Sequence, residues 1–436
     1  MYVNVIGAGL AGCEAAYQIA RRGIDVRLYE MKPAKMTPAH KNTDFCELIC
    51  SNSLKAARTE SAAGLLKEEQ RRLGSLLMQC ADECAVPAGG ALAVDRDSFA
   101  AMVTQRLRSH PRISIIQAEM TEIPTDAVTV IATGPLTSDA LSGRIEQLCG
   151  GGLHFFDAAA PIVTAESIDM ERAFTASRYD KGEDDAYINC PMNKEEYEAF
   201  HHELVNAERA PRHDVDVQNP KVYEGCMPIE ILAQRGLDTM RFGPMKPVGL
   251  RDPRTGHRPW AVLQLRTENA AKTLYNLVGF QTNLRFPEQK RVFGMIPALK
   301  NAEFVRYGVM HRNTFLDSPR LLNADYSLRS DTRLFFAGQM TGVEGYMESA
   351  GSGLIAGINA AGRVLGEEPF ILPAETMNGA LANYISDPTV TDFQPMGANL
   401  GILPALDEQI RDKKLRAAAY AKRALEALEK CCGENN

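Results

Sequence analysis

VNVIGAGLAG (residues 3–12) decides how this chain of 436 residues begins. A short apolar run rich in β-branched residues reads as a buried strand. Three glycines follow it in the spacing G-x-G-x-x-G, at Gly7, Gly9 and Gly12. The Ala-rich CEAAYQIARR (13–22) then reads as a helix, with Gly23 where a helix C-terminus is expected. IDVRLYE (24–30) reads as a second strand that ends in the acid Glu30. In this strand–turn–helix–strand setting the spacing is a dinucleotide-binding fingerprint rather than an incidental turn. Gly7 permits the tight turn, Gly9 lets the backbone approach a pyrophosphate, and Gly12 lets helix and strand pack closely. The loop Gly7-Ala8-Gly9-Leu10-Ala11-Gly12 therefore offers backbone N–H groups to phosphate at a helix N-terminus. Glu30 is the candidate for the adenosine ribose hydroxyls.

Two further stretches fit the same sheet. AVTVIATGP (127–135) is a strand running into Gly134, and DTRLFFAGQ (331–339) is a strand running into Gly338. A glycine-rich loop then leads into ESAGSGLIAGINAAGRVLG (348–366), a small-residue helix opened by Glu348. A helix N-terminus returning late in the chain favours an electron-rich partner. Such a partner is the pyrimidine end of a reduced flavin, so the pair of motifs points to FAD rather than NAD. Between them the pattern changes. APIVTAE (160–166), PWAVLQLRT (259–267) and RVFGMIP (291–297) read as strands, and EEYEAFHHELVNAE (195–208) reads as an exposed helix. The fold class expected is α/β, a Rossmann-like FAD-binding domain with an inserted α+β substrate domain. The expected division is 1–150, first part of the FAD domain; 151–325, the insertion; and 326–436, second part with a C-terminal helical extension ending in LDEQIRDKKLRAAAYAKRALEALEK (406–430).

The composition excludes several classes. Charged residues make up 24% and the net charge is −7, so wrapping of nucleic acid by a basic chain is not expected, although a local basic patch is allowed. One such segment is 209–258, with nine Lys/Arg against six Asp/Glu. No run of about 18 apolar residues exists to span a membrane. The N-terminus carries no leader-like pattern, which points to the cytoplasm. The ten cysteines form no metal-ligand spacing, so no metal is expected, and in a reducing compartment they stay reduced.

Two cysteines are candidates for chemistry. Cys50 precedes Ser51-Asn52-Ser53, any of which could cap a helix beginning at Leu54, and a helix N-terminus favours a thiolate. Cys226 sits in a Gly-Cys-Met-Pro turn inside the basic segment, between Glu224 and Glu230, whose charges would disfavour its thiolate. Spacing alone leaves both open.

Taken together, VIGAGLAGCEAA, EMKPAKMTPAH, CSNSLKA, YEGCMPIE, TGHRPWAVLQLR, GFQTNL and GQMTGVEGYMESA resemble, in order over about residues 1–370, the folate- and FAD-dependent tRNA (uracil-5-)-methyltransferases, the TrmFO family. The resemblance implies 5-methyluridine formation at T-loop position 54 of tRNA. It implies 5,10-methylenetetrahydrofolate as one-carbon donor by way of flavin N5, and NAD(P)H as reductant. A cysteine thiolate adds to C6 of the uracil, C5 takes the one-carbon unit, a base removes the C5 proton, and reduced flavin gives hydride. The family's two functional cysteines match Cys50 and Cys226; which one attacks the ring is left open. The alternatives are a paralogue that methylates a 23S rRNA uridine by the same chemistry, and a non-catalytic tRNA-binding flavoprotein. A longer flavin enzyme of the wobble uridine shares the opening motif but has an additional C-terminal helical domain. Cys46 and Gly351 stand where the family usually has alanine.

Overall fold

The computed structural model describes residues 1–37, 39–150, 153–158, 160–180, 187–210, 227–269, 271–308, 310–390 and 393–434. Tyr2–Ile6, the VNVI run, lies at the centre of a six-stranded sheet. The strand order is Ser327–Leu328, Asp331–Phe336, Thr129–Ile131, Tyr2–Ile6, Asp25–Glu30, Ile113–Gln117. The last five are parallel, and Ser327–Leu328 pairs antiparallel at one edge. Val3, Val5, Val26, Leu28, Val130, Ile131, Phe335 and Phe336 are buried in this sheet, as expected of strands covered on both faces.

The helix Leu10–Arg21 lies directly against the helix Tyr346–Leu365. A Cβ on Gly353 would fall 2.1 Å from the Ala11 carbonyl oxygen, and one on Gly357 would fall 2.7 Å from that of Ala15. The small residues of the late helix are thus also what allows two backbones to touch. Gly351 lies on the opposite face of that helix. A Cβ there would meet Asn378 Oδ1 at 2.2 Å and Gln70 Nε2 at 2.6 Å, both buried amides tied into hydrogen bonds.

Residues between these halves build a second, antiparallel sheet. Its order is Phe174–Thr175, Tyr187–Met192, Ala261–Thr267, Leu274–Leu277, Ile162–Thr164, Phe304–Arg306. It has its own core, including Tyr197, Phe200, Leu263, Leu265, Phe280 and Phe293. Leu153–Ala158 and Met310–Phe315 pair antiparallel with each other where the chain leaves the first body and where it returns.

Four local readings change. The helix Lys194–Asn206 is capped by a reciprocal Asn193–Glu196 box, and it is not simply exposed, because Tyr197, Phe200 and Leu204 are buried. RVFGMIP is not a strand: Arg291–Phe293 end the helix Phe286–Phe293, which buries Gln289, Val292 and Phe293 on one face. No helix begins at Leu54; Ser53–Ala56 is a strand paired with Ala91–Val94. The last helix runs Lys413–Glu434, started by Asp412, whose carboxylate accepts the N–H groups of Lys414 and Leu415. Among the described residues no helix is long and apolar enough to cross a membrane.

Candidate active site

The carboxyl ends of the central strands open onto a cavity of about 440 Å³, within the range of small-molecule sites. Gly7 stands at φ +98°, and a Cβ on it would lie 2.7 Å from the Ala132 carbonyl oxygen. A Cβ on Gly12 would lie 1.8 Å from the Gly7 carbonyl oxygen, so the turn closes only with glycine at both positions. Gly9 differs: nothing lies within 4 Å of the place its Cβ would take, and the residue lines the cavity. Gly9 is also the N-cap of Leu10–Arg21 and has no side-chain cap. This is the geometry that lets a phosphate sit against a helix N-terminus. Gly7, Ala8, Gly9, Leu10 and Ala11 all line the cavity, whereas Gly12 packs beneath the loop.

Glu30 is buried on the same wall. Its Oε2 accepts the Ala8 N–H at 2.9 Å, and its Oε1 accepts the Lys32 N–H at 2.9 Å. Each oxygen keeps a lone pair for a hydroxyl from the cavity. Gly134 (φ +69°) follows Thr129–Ile131, and Gly338 (φ +84°) follows Asp331–Phe336, so the strand ends deliver both to the cavity. Gly338 donates its N–H to Ser352 Oγ at 2.7 Å. Glu348, in the first turn of Tyr346–Leu365, is buried against Lys55, with Nζ 2.6 Å from Oε1. The same Oε1 accepts the Ala398 N–H at 3.1 Å. The residues present therefore fit an adenine dinucleotide with a second ring system at the Tyr346–Leu365 end: an open cradle at Gly9, a ribose-type acid, and positive-φ glycines at the strand ends.

Cys50 stands on the wall of this cavity, in the loop before Ser53–Ala56. The expected helix-terminus field at its sulfur is absent, since a strand follows. A phenol takes that place. Tyr346 Oη lies 3.0 Å from Cys50 Sγ and accepts the backbone N–H groups of Cys50 at 2.8 Å and Ser51 at 3.2 Å. The loop is held from two other sides. Arg96 Nη1 donates to the carbonyls of Leu48 at 2.6 Å and Ile49 at 3.1 Å, and its Nε lies 2.5 Å from Glu268 Oε2. Arg266 Nη2 donates to Ser51 Oγ at 2.5 Å, and its Nε donates to Asn52 Oδ1 at 3.0 Å. Asn52 Nδ2 in turn donates to the carbonyls of Val94 at 3.1 Å and Thr267 at 2.8 Å. Arg306, half-buried in the same electrostatic neighbourhood, makes no ion pair among the described residues, and burial lowers its pKa from the ordinary value.

Cys226 lies outside the described residues. Just after it, Ile229 donates its N–H to the carbonyl of Gln281, and Gln281 lines the cavity. Glu230 is buried, accepting from Thr282 Oγ1 at 2.8 Å and from the Asn283 N–H at 2.8 Å; burial raises its pKa. The basic segment is thinner than its charge count: Arg241 is spent on Asp238 and the Trp260 ring, and Arg254 on Asp252. Lys246, Arg251 and Arg258 remain exposed, as does Phe242, at 84%. Sequence reasoning missed Tyr346, Arg96, Arg266 and Glu268. No spacing relates positions 50, 96, 266 and 346; only the folded chain brings them together. No metal-binding cluster occurs among the described residues.

Residues 2–368 match the family described as "Glucose inhibited division protein A". A protein of Acetivibrio thermocellus named "Methylenetetrahydrofolate--tRNA-(uracil-5-)-methyltransferase TrmFO" is 59% identical over 429 residues, 98% of each chain. The chain belongs to the TrmFO family. TrmFO proteins of Lactobacillus johnsonii and Heliobacterium modesticaldum, which carry the same full name, are 59% and 58% identical, covering 98% and 100% of this chain and 97% and 99% of theirs. The fold extends further than the TrmFO family. Aquifex aeolicus GidA superposes with a TM-score of 0.72 at 17% identity, covering 99% of this chain and 73% of that one. That likeness shows the shared architecture, a Rossmann-like FAD-type domain with an inserted α+β domain.

Proposed function

We propose that the chain forms 5-methyluridine at T-loop position 54 of tRNA, with FAD as cofactor, 5,10-methylenetetrahydrofolate as one-carbon donor and NAD(P)H as reductant. One observation carries this reading: a cysteine sulfur, Cys50, shares a cavity wall with a dinucleotide cradle. A binding protein needs the cradle but not the thiol. The names of relatives 58–59% identical over nearly the whole chain support the same activity.

When bound, FAD supplies the hydride and the relay of the one-carbon unit. The protein's own residues do the rest. Gly7–Gly12 and Glu30 hold the adenosine and pyrophosphate. Gly134, Gly338 and the Glu348 turn frame the far end. One of Cys50 and Cys226 adds to uracil C6, and the other moves a proton. The parts 1–150 and 326–436 form the FAD domain, and 151–325 carries the RNA. The exposed Lys246, Arg251 and Arg258 meet phosphates, which helps offset the few kcal/mol needed to unstack the target base. The protein works in the cytoplasm.

The test is direct. Purified protein is examined for flavin absorbance, then given, in parallel, an unmodified tRNA transcript or unmodified 23S rRNA, each with NAD(P)H and methylenetetrahydrofolate labelled in the one-carbon unit. Label at the T-loop uridine is expected. Label confined to 23S rRNA, or yellow protein that binds tRNA without transfer, overturns the assignment.

A further inference from the structure

We propose that Tyr346 is a positioning residue that donates a hydrogen bond from its hydroxyl to Cys50 and so keeps that sulfur as a thiolate facing the cavity. The proposal rests on the reading above that Cys50 does chemistry there. The argument is one of counting. A phenol oxygen has one hydrogen to give and room for two to accept. Tyr346 Oη already accepts two, from the backbone N–H groups of Cys50 at 2.8 Å and Ser51 at 3.2 Å. Its own hydrogen therefore has to point elsewhere, and Cys50 Sγ stands 3.0 Å away. The opposite polarity, sulfur donating, would crowd a third donor onto Oη and leave the phenol hydrogen unplaced. A sulfur that accepts is favoured as the charged form, because a hydrogen bond to an ion is stronger than one to its neutral form.

The surroundings agree. Arg96 and Arg306 bring positive charge towards Cys50 from the helix Arg96–Arg108 and the edge strand Phe304–Arg306. Of the nearby acids, Glu268 is held by Arg96, and Glu47 accepts the backbone N–H groups of Lys41 and Asn42. Lys55 and Glu348 form an ion pair on the same cavity wall. Tyr346 keeps its own proton: burial first, then the charge on Cys50, pushes the phenol well above its ordinary value. The pair thus works in one direction, with the proton on oxygen and the charge on sulfur.

The experiment follows alkylation of Cys50 by iodoacetamide against pH in the full-length flavin-loaded protein, with the modified peptide identified by mass. In Tyr346→Phe the half-point of the Cys50 profile is expected to move up by about one pH unit, a tenfold change in the thiolate equilibrium. Flavin content should stay unchanged, and any methyl-transfer pH profile should move the same way. An unmoved Cys50 profile in yellow, folded Tyr346→Phe overturns the proposal. If that variant loses flavin, 3-fluorotyrosine at position 346 serves instead. Its more acidic hydroxyl should move the profile downward, and no movement again overturns the idea. Alkylation does not depend on RNA or folate, so absence of methyl transfer with a shifted profile would count against the proposed activity and leave the role of Tyr346 standing.

Discussion

Glu30 closes the second strand by reaching back to hold the Ala8 N–H at 2.9 Å inside the glycine loop. Strand end and phosphate cradle are therefore one unit. Glu30→Ala leaves two buried backbone donors, on Ala8 and Lys32, without partners. A loss of about 1–3 kcal/mol in stability is expected, together with a lower flavin-to-protein ratio after purification. Glu30→Gln, which keeps one acceptor, should fall between. Thermal unfolding and flavin absorbance measure both.

Gly12 and Gly9 should separate folding from binding. Gly12→Ala forces a Cβ to within 1.8 Å of the Gly7 carbonyl oxygen and should lower the unfolding midpoint as well as flavin retention. Gly9→Ala meets nothing within 4 Å, so its unfolding midpoint without flavin should match wild type while flavin affinity drops. Equal destabilisation by the two would refute this account of the loop.

The Arg96–Glu268 pair is nearly closed off from solvent, with the side chains 14% and 3% exposed. Removing one member of a buried pair costs roughly 3–5 kcal/mol, while replacing both by apolar residues costs far less. Arg96→Met should therefore unfold at much lower urea than the Arg96→Met, Glu268→Leu double variant. The Cys50 loop loses its Leu48 and Ile49 contacts in both, so activity should stay low in both.

Glu69 is fully buried beneath the helix Met377–Ser386, accepting the N–H groups of Met377 and Asn378 at 2.7 and 2.9 Å. Burial outweighs those bonds and pushes its carboxyl from 4.5 up to about 7. A folded-state value above the unfolded one means that the stabilisation is complete below 4.5 and lost as pH rises through 7. Lys67, lowered to about 8 from 10.5 by burial, changes its contribution only above this window. Glu69→Gln should therefore flatten the decline in urea midpoint between pH 5 and 7. A slope equal to wild type would contradict the assignment.

Cys226→Ala should abolish methyl transfer while the protein remains yellow. Full transfer by that variant would remove Cys226 from the chemistry and leave Cys50 to act alone.

The first βαβ unit was legible because its signals are local. Apolar run, glycine spacing, Ala-rich helix and terminal acid all lie within residues 2–30, and each has one physical reading. The surroundings of Cys50 were not legible. Ser51, Asn52 and Ser53 look like caps, but their side chains answer to Arg266 and to the turn itself, and the backbone goes on as a strand. Tyr346 was visible only as part of a motif, because its partner lies 296 positions away. RVFGMIP misled because the buried face that decides it begins earlier, at Gln289. Gly351 stood out only as a departure from the family's usual alanine, yet Asn378 and Gln70 occupy the space a methyl would need.

Arg266 and Thr267 belong to a long strand of the inserted sheet, yet both grip Ser51-Asn52, the residues beside the Cys50 sulfur. A load placed on that sheet is therefore felt within one residue of the thiol. On the proposed reading, in which the inserted domain carries the RNA, these hydrogen bonds are the route by which a substrate leaning on that sheet would trim the aim of the thiol.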